Sequence, residues 1–220
     1  MNGIFQSILY VVTSMAFFVL STFGINTGTE QPKYEVIERL GDSVEIRRYA
    51  PRIAAEATID VTKSGNPRGE AFRIVAAYIF GANKGKKNID MTSPVEVKTT
   101  GEKIAMTAPV EVNKSKKRLT MRFFMPTQYS RDKLPEPADS RVRLVDVPSE
   151  TNAVLRFTGS TDDAAVSART TELMKQLGGI RWTAEGTPTA FFYNPPWTIP
   201  FLRRNEIVVV VSKRGTVSSK

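Results

Sequence analysis

Residues 91–97 read Met-Thr-Ser-Pro-Val-Glu-Val, and residues 106–112 read Met-Thr-Ala-Pro-Val-Glu-Val, fifteen positions further on. Chance does not easily give such a pair. In each heptad two valines flank a glutamate, the period-two pattern of a strand with unlike faces. The pair predicts adjacent strands of a hairpin turning near Thr100 and Gly101, with Val95, Val97, Val110 and Val112 inward and Glu96 and Glu111 outward. A proline inside each motif fits a strand start or a bulge. Packing accounts for Met91 and Met106, because thioethers favour core positions; direct contact of either with a ligand is the competing reading.

Working outward, residues 70–80 are helical by composition, and Gly81 suits a C-terminal cap. Residues 34–36 and 44–46 alternate on either side of Gly41-Asp42, which predicts a hairpin. In residues 53–61, Ile53, Ala55, Ala57, Ile59 and Val61 alternate with Ala54, Glu56, Thr58 and Asp60, predicting a strand with one wet face. Downstream come a strand at 119–125, a proline-rich loop at 126–137 and strands at 142–147 and 154–157. A helix at 162–177 follows: Thr161 or Asp162 caps its start, Val166, Thr170, Leu173, Met174 and Leu177 line one face, and Gly178-Gly179 ends it. The last strands are 190–193 and the wholly apolar 207–211, which belongs in the centre of a sheet. The order strands, helix, strands occurs twice and predicts an α+β domain of two similar halves.

No charged side chain occurs before Glu30, and residues 4–25 are dominated by Phe5, Ile8, Leu9, Val11, Val12, Phe17, Phe18, Val19 and Leu20. That run has the length of a bilayer span. No Lys or Arg precedes it and the one passable cleavage site is Thr22-Phe23-Gly24, so residues 1–26 read as a retained membrane anchor or, alternatively, a signal peptide. Residues 27–32 form a linker, 33–213 the folded domain and 214–220 a polar tail. The protein is expected to be membrane-associated or exported. Lys33, Arg39, Arg47 and Arg48 after the span favour cytoplasmic retention, but long domains translocate regardless of charge, and the extracytoplasmic side is the expectation taken.

The 220 residues include no cysteine and no histidine, which excludes Ser-His-Asp, Cys-His and His-metal mechanisms. The net charge of +9 favours anionic partners. Nucleic acid is not expected, because the basic residues are not interleaved with aromatics in a recognisable module. Ser130-x-x-Lys133 lacks the companion motifs of a serine-lysine acylase. Lys114, Lys116, Lys117 and Arg118 suit a hairpin tip, and Arg203, Arg204 and Glu206 are expected to form surface pairs with one another. The helix at 70–80 is less ordinary: only Glu70 and Arg73 are charged, whereas packing one side on a sheet needs an apolar stripe about 100° wide. Phe72, Ala76 and Ile79 form one stripe and Ala71, Val75 and Tyr78 another. One stripe serves the core. The other is available to a flat apolar ligand or to a covering loop such as Pro195-Pro196-Trp197, and the basic loop Lys84-Gly85-Lys86-Lys87 follows directly, able to neutralise carboxylates.

Together these residues resemble the SOUL haem-binding proteins. The likeness rests on Tyr34-Glu35-Val36, on Glu45-Ile46-Arg47-Arg48-Tyr49-Ala50-Pro51, on Gly81-Ala82-Asn83 and on the doubled Met-Thr-x-Pro-Val. It continues through Phe123-Phe124-Met125-Pro126, Pro135-x-Pro137, Tyr193-Asn194-Pro195-Pro196-Trp197 and Arg203-Arg204-Asn205-Glu206. The resemblance implies a distorted antiparallel β-barrel flanked by two helices, built as two pseudo-symmetric halves. It also implies a haem or tetrapyrrole carrier, buffer or sensor without catalytic turnover. The histidine ligand assigned in some members has no counterpart here, which leaves apolar contact and cations on the propionates. Phe72, Val75, Ala76, Ile79, Lys84, Lys86 and Lys87 are the residues expected to hold the cofactor, with Tyr49 and Met91 as axial candidates. A membrane-surface or protein-interaction module and a haem-processing protein are the alternatives.

Overall fold

The computed structural model describes residues 22, 29–100, 118–178 and 180–214. Among them the order is β1 (Tyr34–Leu40), β2 (Val44–Tyr49), β3 (Arg52–Asp60), α1 (Pro67–Ile79), β4 (Val95–Thr100) and β5 (Arg118–Phe124). The chain continues through β6 (Val142–Val147), β7 (Glu150–Phe157), α2 (Asp163–Leu177), β8 (Trp182–Phe192) and β9 (Asn205–Lys213). No helix among these residues is long and apolar enough to cross a membrane. Residues 4–25 other than Thr22 lie outside the described residues, as do 101–117 with the second heptad and most of the tail.

The nine strands form one antiparallel sheet in the order β1-β2-β7-β9-β8-β4-β5-β3-β6. Exchanging β2 with β6, β3 with β7, β4 with β8 and β5 with β9 leaves the order of those eight strands unchanged when read backwards. Two pseudo-symmetric halves follow from this pairing, with each half lending its first strand to the other's side of the sheet. β1 stands outside the symmetry. Because β1 and β6 remain edges, the expected barrel is an open sheet rather than a closed one.

Three clusters of side chains fill the fold. Under α1, Ala71, Val75 and Ile79 pack with Ala55, Ala57, Met121 and Phe123. Beneath α2, Leu173 and Leu177 pack with Ile46, Leu155, Ile207 and Val209. The third cluster joins Ala54, Phe124 and Val147 of one side of the sheet to Tyr49, Val154, Phe191, Tyr193 and Val208 of the other, so the faces turned away from the helices are covered as well. β9 lies between β7 and β8 and is buried on both faces, which is why its sequence is continuously apolar.

Covering of the second face overturns two expectations. β3 has no simple wet face: Ala54 is in the third cluster, and Glu56 is buried where it accepts from Arg122 Nε at 2.7 Å and Arg143 Nη2 at 2.6 Å. Glu96 likewise faces inward rather than outward, 3.4 Å from Arg122 Nη1. Burial pushes the Glu96 carboxyl above its ordinary range, against the pull of Arg122, Arg52 and Lys98 and with a further push from Glu150. A carboxyl raised in the folded state contributes stability at acid pH that is lost as pH rises through its folded pKa. Glu96→Gln is therefore expected to raise the thermal midpoint at about pH 7 and to give no gain below the ordinary carboxylate range, near pH 3.5. Calorimetry at both values checks it, and an equal loss at both would contradict it.

Candidate functional site

Helix α1 begins one turn earlier than its apolar composition suggests. Asn66 caps it by accepting from Gly69 N at 2.9 Å, and Pro67 occupies the first turn, where its missing N–H costs nothing. Ala71, Ile74, Val75, Ala76, Tyr78 and Ile79 are buried in the core cluster under the helix. The stripe that serves the core is thus Ala71-Val75-Tyr78, joined by Ile79. Val75, Ala76 and Ile79, expected to face a ligand, are buried in the core.

The exposed side of the helix end carries Phe72 at 41% exposure and Phe80 at 63%, and Ala76, four residues from each, lies between them buried in the core at 7%. Phe72 is braced by Phe123, whose ring centroid is 5.4 Å away. Phe80 follows the last helical turn, where its N–H donates to Ala76 O at 2.9 Å. Two exposed rings on either side of the buried Ala76 make a small apolar patch, and exposed large hydrophobics grouped in this way mark interaction sites.

The chain leaves the patch through Gly81, whose φ of +98° is a conformation that L side chains rarely adopt. Asn83 then fixes the basic loop. Its buried side chain donates to Tyr78 O at 3.0 Å and Lys87 O at 2.7 Å and accepts from Lys87 N at 3.0 Å. Lys84 pairs with Glu136, but both side chains are well exposed, which makes the pair weak. Among the described residues no carboxylate pairs with Lys86 or Lys87. On its other flank α1 borders a groove of ≈ 390 Å³ lined by Ile74, Ala77, Tyr78, Ala82, Ala138, Asp139 and Val142.

The axial candidates part company. Met91 is exposed, next to Thr92, whose Oγ1 donates to Phe124 O at 2.6 Å. Tyr49 is not near α1 at all. The odd-numbered face of β2 turns into the third cluster, and Tyr49 Oη accepts there from Arg47 Nη1 at 3.3 Å. Burial pushes its phenol up to about 12, which denies it the phenolate form at neutral pH. For the loop Pro195-Pro196-Trp197, suggested as a cover for α1, the bonds described are those that Thr198 N donates to Pro195 O at 3.1 Å and Arg203 Nη2 to Pro196 O at 2.7 Å.

A buried ionic cluster escaped the sequence. Glu206, at 0% exposure, accepts from Arg47 Nη1 at 3.1 Å, Arg204 Nη2 at 2.8 Å and Tyr193 Oη at 2.6 Å. The expected surface pairing of Arg204 with Glu206 is therefore an interior one, and Arg203 donates instead to Thr198 O at 2.8 Å and Pro196 O at 2.7 Å. The Arg47 guanidinium lies 4.3 Å from the Tyr34 ring centre and that of Arg204 3.9 Å from Tyr193. Beside them a cavity of ≈ 350 Å³ is lined by Tyr34, Asp42, Ser43, Glu45, Arg47, Arg156 and Arg204. It is polar, and Arg47 and Arg204 are already committed to Glu206. A flat tetrapyrrole needs an apolar face with cations near its edge; the α1 patch and its lysine loop fit that group and this cavity does not.

The family model described as SOUL heme-binding protein matches residues 29–210. No curated protein matches the chain. Among solved structures, EcmrR in a cryo-EM complex with DNA aligns with a TM-score of 0.56 at 11% identity, over 78% of this chain and 57% of that one. The crystal structure of the EcmrR C-terminal domain aligns at 0.53 and 12%, over 82% and 99%. A hydrolase from Listeria innocua aligns at 0.52 and 12%, over 77% and 92%. Likeness at these identities is one of fold.

Proposed function

Because this chain belongs to the SOUL heme-binding protein family, we propose that it holds haem or a related tetrapyrrole on the outer face of α1, as a carrier, buffer or sensor rather than an enzyme. The observation that carries this reading is the pair of exposed rings, Phe72 and Phe80, followed at once by a loop whose Lys86 and Lys87 pair with no carboxylate among the described residues. Burying the two rings against a macrocycle removes apolar area from water, and the ammonium groups meet propionates with charge-assisted bonds. Bound haem would supply whatever redox or ligand chemistry the iron performs. The protein's part is to seat the ring and balance its carboxylates. Of the two axial candidates, Met91 is the exposed one, since Tyr49 is in the interior and histidine and cysteine are absent. Residues 4–25 hold the protein to a membrane, with the domain on the extracytoplasmic side.

An absorbance titration with haem tests the reading. Replacing Lys84, Lys86 and Lys87 together by glutamate is expected to weaken affinity about tenfold, the sum of several exposed charge interactions of ~0.2–1 kcal/mol. Unchanged affinity in a folded variant would remove the loop from the site.

A further inference from the structure

The polar cavity lies beside Glu206 and is lined by Glu45, and both carboxylates are fully engaged. The Glu206 oxygens accept from Arg47 Nη1, from Arg204 Nε and Nη2 and from Tyr193 Oη, which fills the roughly four lone-pair sites that a carboxylate offers. Glu45 accepts from Arg39 Nε at 3.2 Å and from Arg47 Nε at 2.8 Å. Two charged groups on the cavity wall are left over. Arg156 is the register partner of Glu206 across β7 and β9, so the two side chains emerge on one face, yet Glu206 has no oxygen to spare for it. Asp42 stands in the turn between β1 and β2, brought near Arg156 where Arg156 N donates to Ser43 O at 3.3 Å. Both residues are exposed. Among the described residues neither side chain forms an ion pair or hydrogen bond, with the other or with any third group.

The signs of the two unpaired groups indicate what the cavity takes. Its ≈ 350 Å³ is at the small end of ligand sites. A singly charged ligand would be attracted by one of these groups and repelled by the other, whereas a molecule with both a carboxylate and an ammonium group satisfies both. The Arg156 guanidinium offers a carboxylate a planar pair of N–H donors, and such charge-assisted bonds are the stronger kind. Tyr34 lines the same cavity at 39% exposure, steadied by the Arg47 guanidinium over its ring, and its Oη makes no hydrogen bond among the described residues. It is available to a polar group of the ligand between the two charges. Opposite charges on one small wall fix the orientation of such a ligand and select against simple anions and simple cations alike.

We propose that this cavity binds a small zwitterion of the amino-acid class, with its carboxylate on Arg156 and its ammonium group on Asp42. The site is separate from the α1 patch and independent of haem. Isotopically labelled full-length protein is titrated with glycine, γ-aminobutyrate and ε-aminocaproate, which differ in the span between their charges. Acetate and methylammonium are the singly charged controls. At least one zwitterion is expected to shift the amides of residues 42–45 and 156 to saturation and to bind about tenfold tighter than either control, while those of 72–80 stay in place. Arg156→Gln and Asp42→Asn are each expected to weaken that binding about three- to tenfold, the loss of one partly exposed charge contact. Both positions are exposed, so the variants keep the fold, which thermal melting verifies. Absence of a saturable shift with all three zwitterions overturns the proposal, as does unchanged affinity in both variants. Acetate binding as tightly as the zwitterions and insensitive to Asp42→Asn overturns it in favour of a plain anion site.

Discussion

Glu206→Ala is expected to lower the stability of the fold by about 3–5 kcal/mol, the range found when one member of a buried ion pair is removed. The carboxylate is wholly buried, and the Arg47 side chain opposite is nearly so. A guanidinium does not shed its proton in a protein, so without Glu206 the Arg47 charge stays in the interior with Glu45 and Tyr49 as remaining partners. Tyr193, also buried, loses its acceptor in the same step. The damage falls where β9 joins β7 to β8, in the middle of the sheet. Urea unfolding should show a lower midpoint with an unchanged slope, the sign of a change in stability rather than in exposed area. Pairing Glu206→Gln with Arg47→Met should recover part of the loss, because the unpaired charge is then gone. A loss in Glu206→Ala below about 1 kcal/mol, the worth of a surface pair, would contradict burial of the network.

Phe80→Asp is the substitution expected to cost most in ligand affinity while leaving the domain intact. Withdrawing a phenyl ring from an apolar contact is worth about 1.5–3 kcal/mol, or roughly ten- to a hundredfold in affinity, and the new carboxylate repels propionates as well. Phe80 is mostly exposed, so stability should change by less than about 0.5 kcal/mol. Phe72→Asp adds to the affinity loss but also removes the contact with Phe123. A bulky charged residue at Ala76 blocks the floor of the patch at a greater cost to folding, because that position is largely buried. Haem titration and thermal melting of each variant read the two effects separately. Wild-type affinity in Phe80→Asp would move the site elsewhere.

The fold was legible where a pattern depends on one element alone. The alternation in 34–61, the Asp162 cap of α2, which accepts from Ala165 N at 2.7 Å, and the unbroken apolar run of β9 each carry their own physics. What sequence could not supply is which strand faces which. Ala54, Glu56, Glu96 and Arg47 look like a wet face until Arg122, Arg143 and Glu206 arrive from other strands to cover and neutralise them. Charged residues on an alternating strand signal unlike faces, and whether the polar face meets water is decided by the packing of the two halves. The same limit applies to the site. Near-continuous apolarity around α1 revealed a second apolar face, and Phe72 lies on it. Three- and four-residue spacings generate overlapping stripes, however, so Val75, Ala76 and Ile79 are in the core while Phe80, just past the helix end, completes the patch. Tyr49 was misplaced because adjacency in a motif says nothing of the face on which a strand residue emerges.

Paramagnetic broadening by ferric haem tests the central claim most directly, since signals close to the iron fade in proportion to occupancy. Added to isotopically labelled protein, haem is expected to broaden the amides of residues 72–80 and 84–87 first and to saturation, leaving those of 206–211 in β9 sharp. Broadening centred on Tyr34, Arg47 and Arg156 around the polar cavity, or on 197–202, would contradict the account.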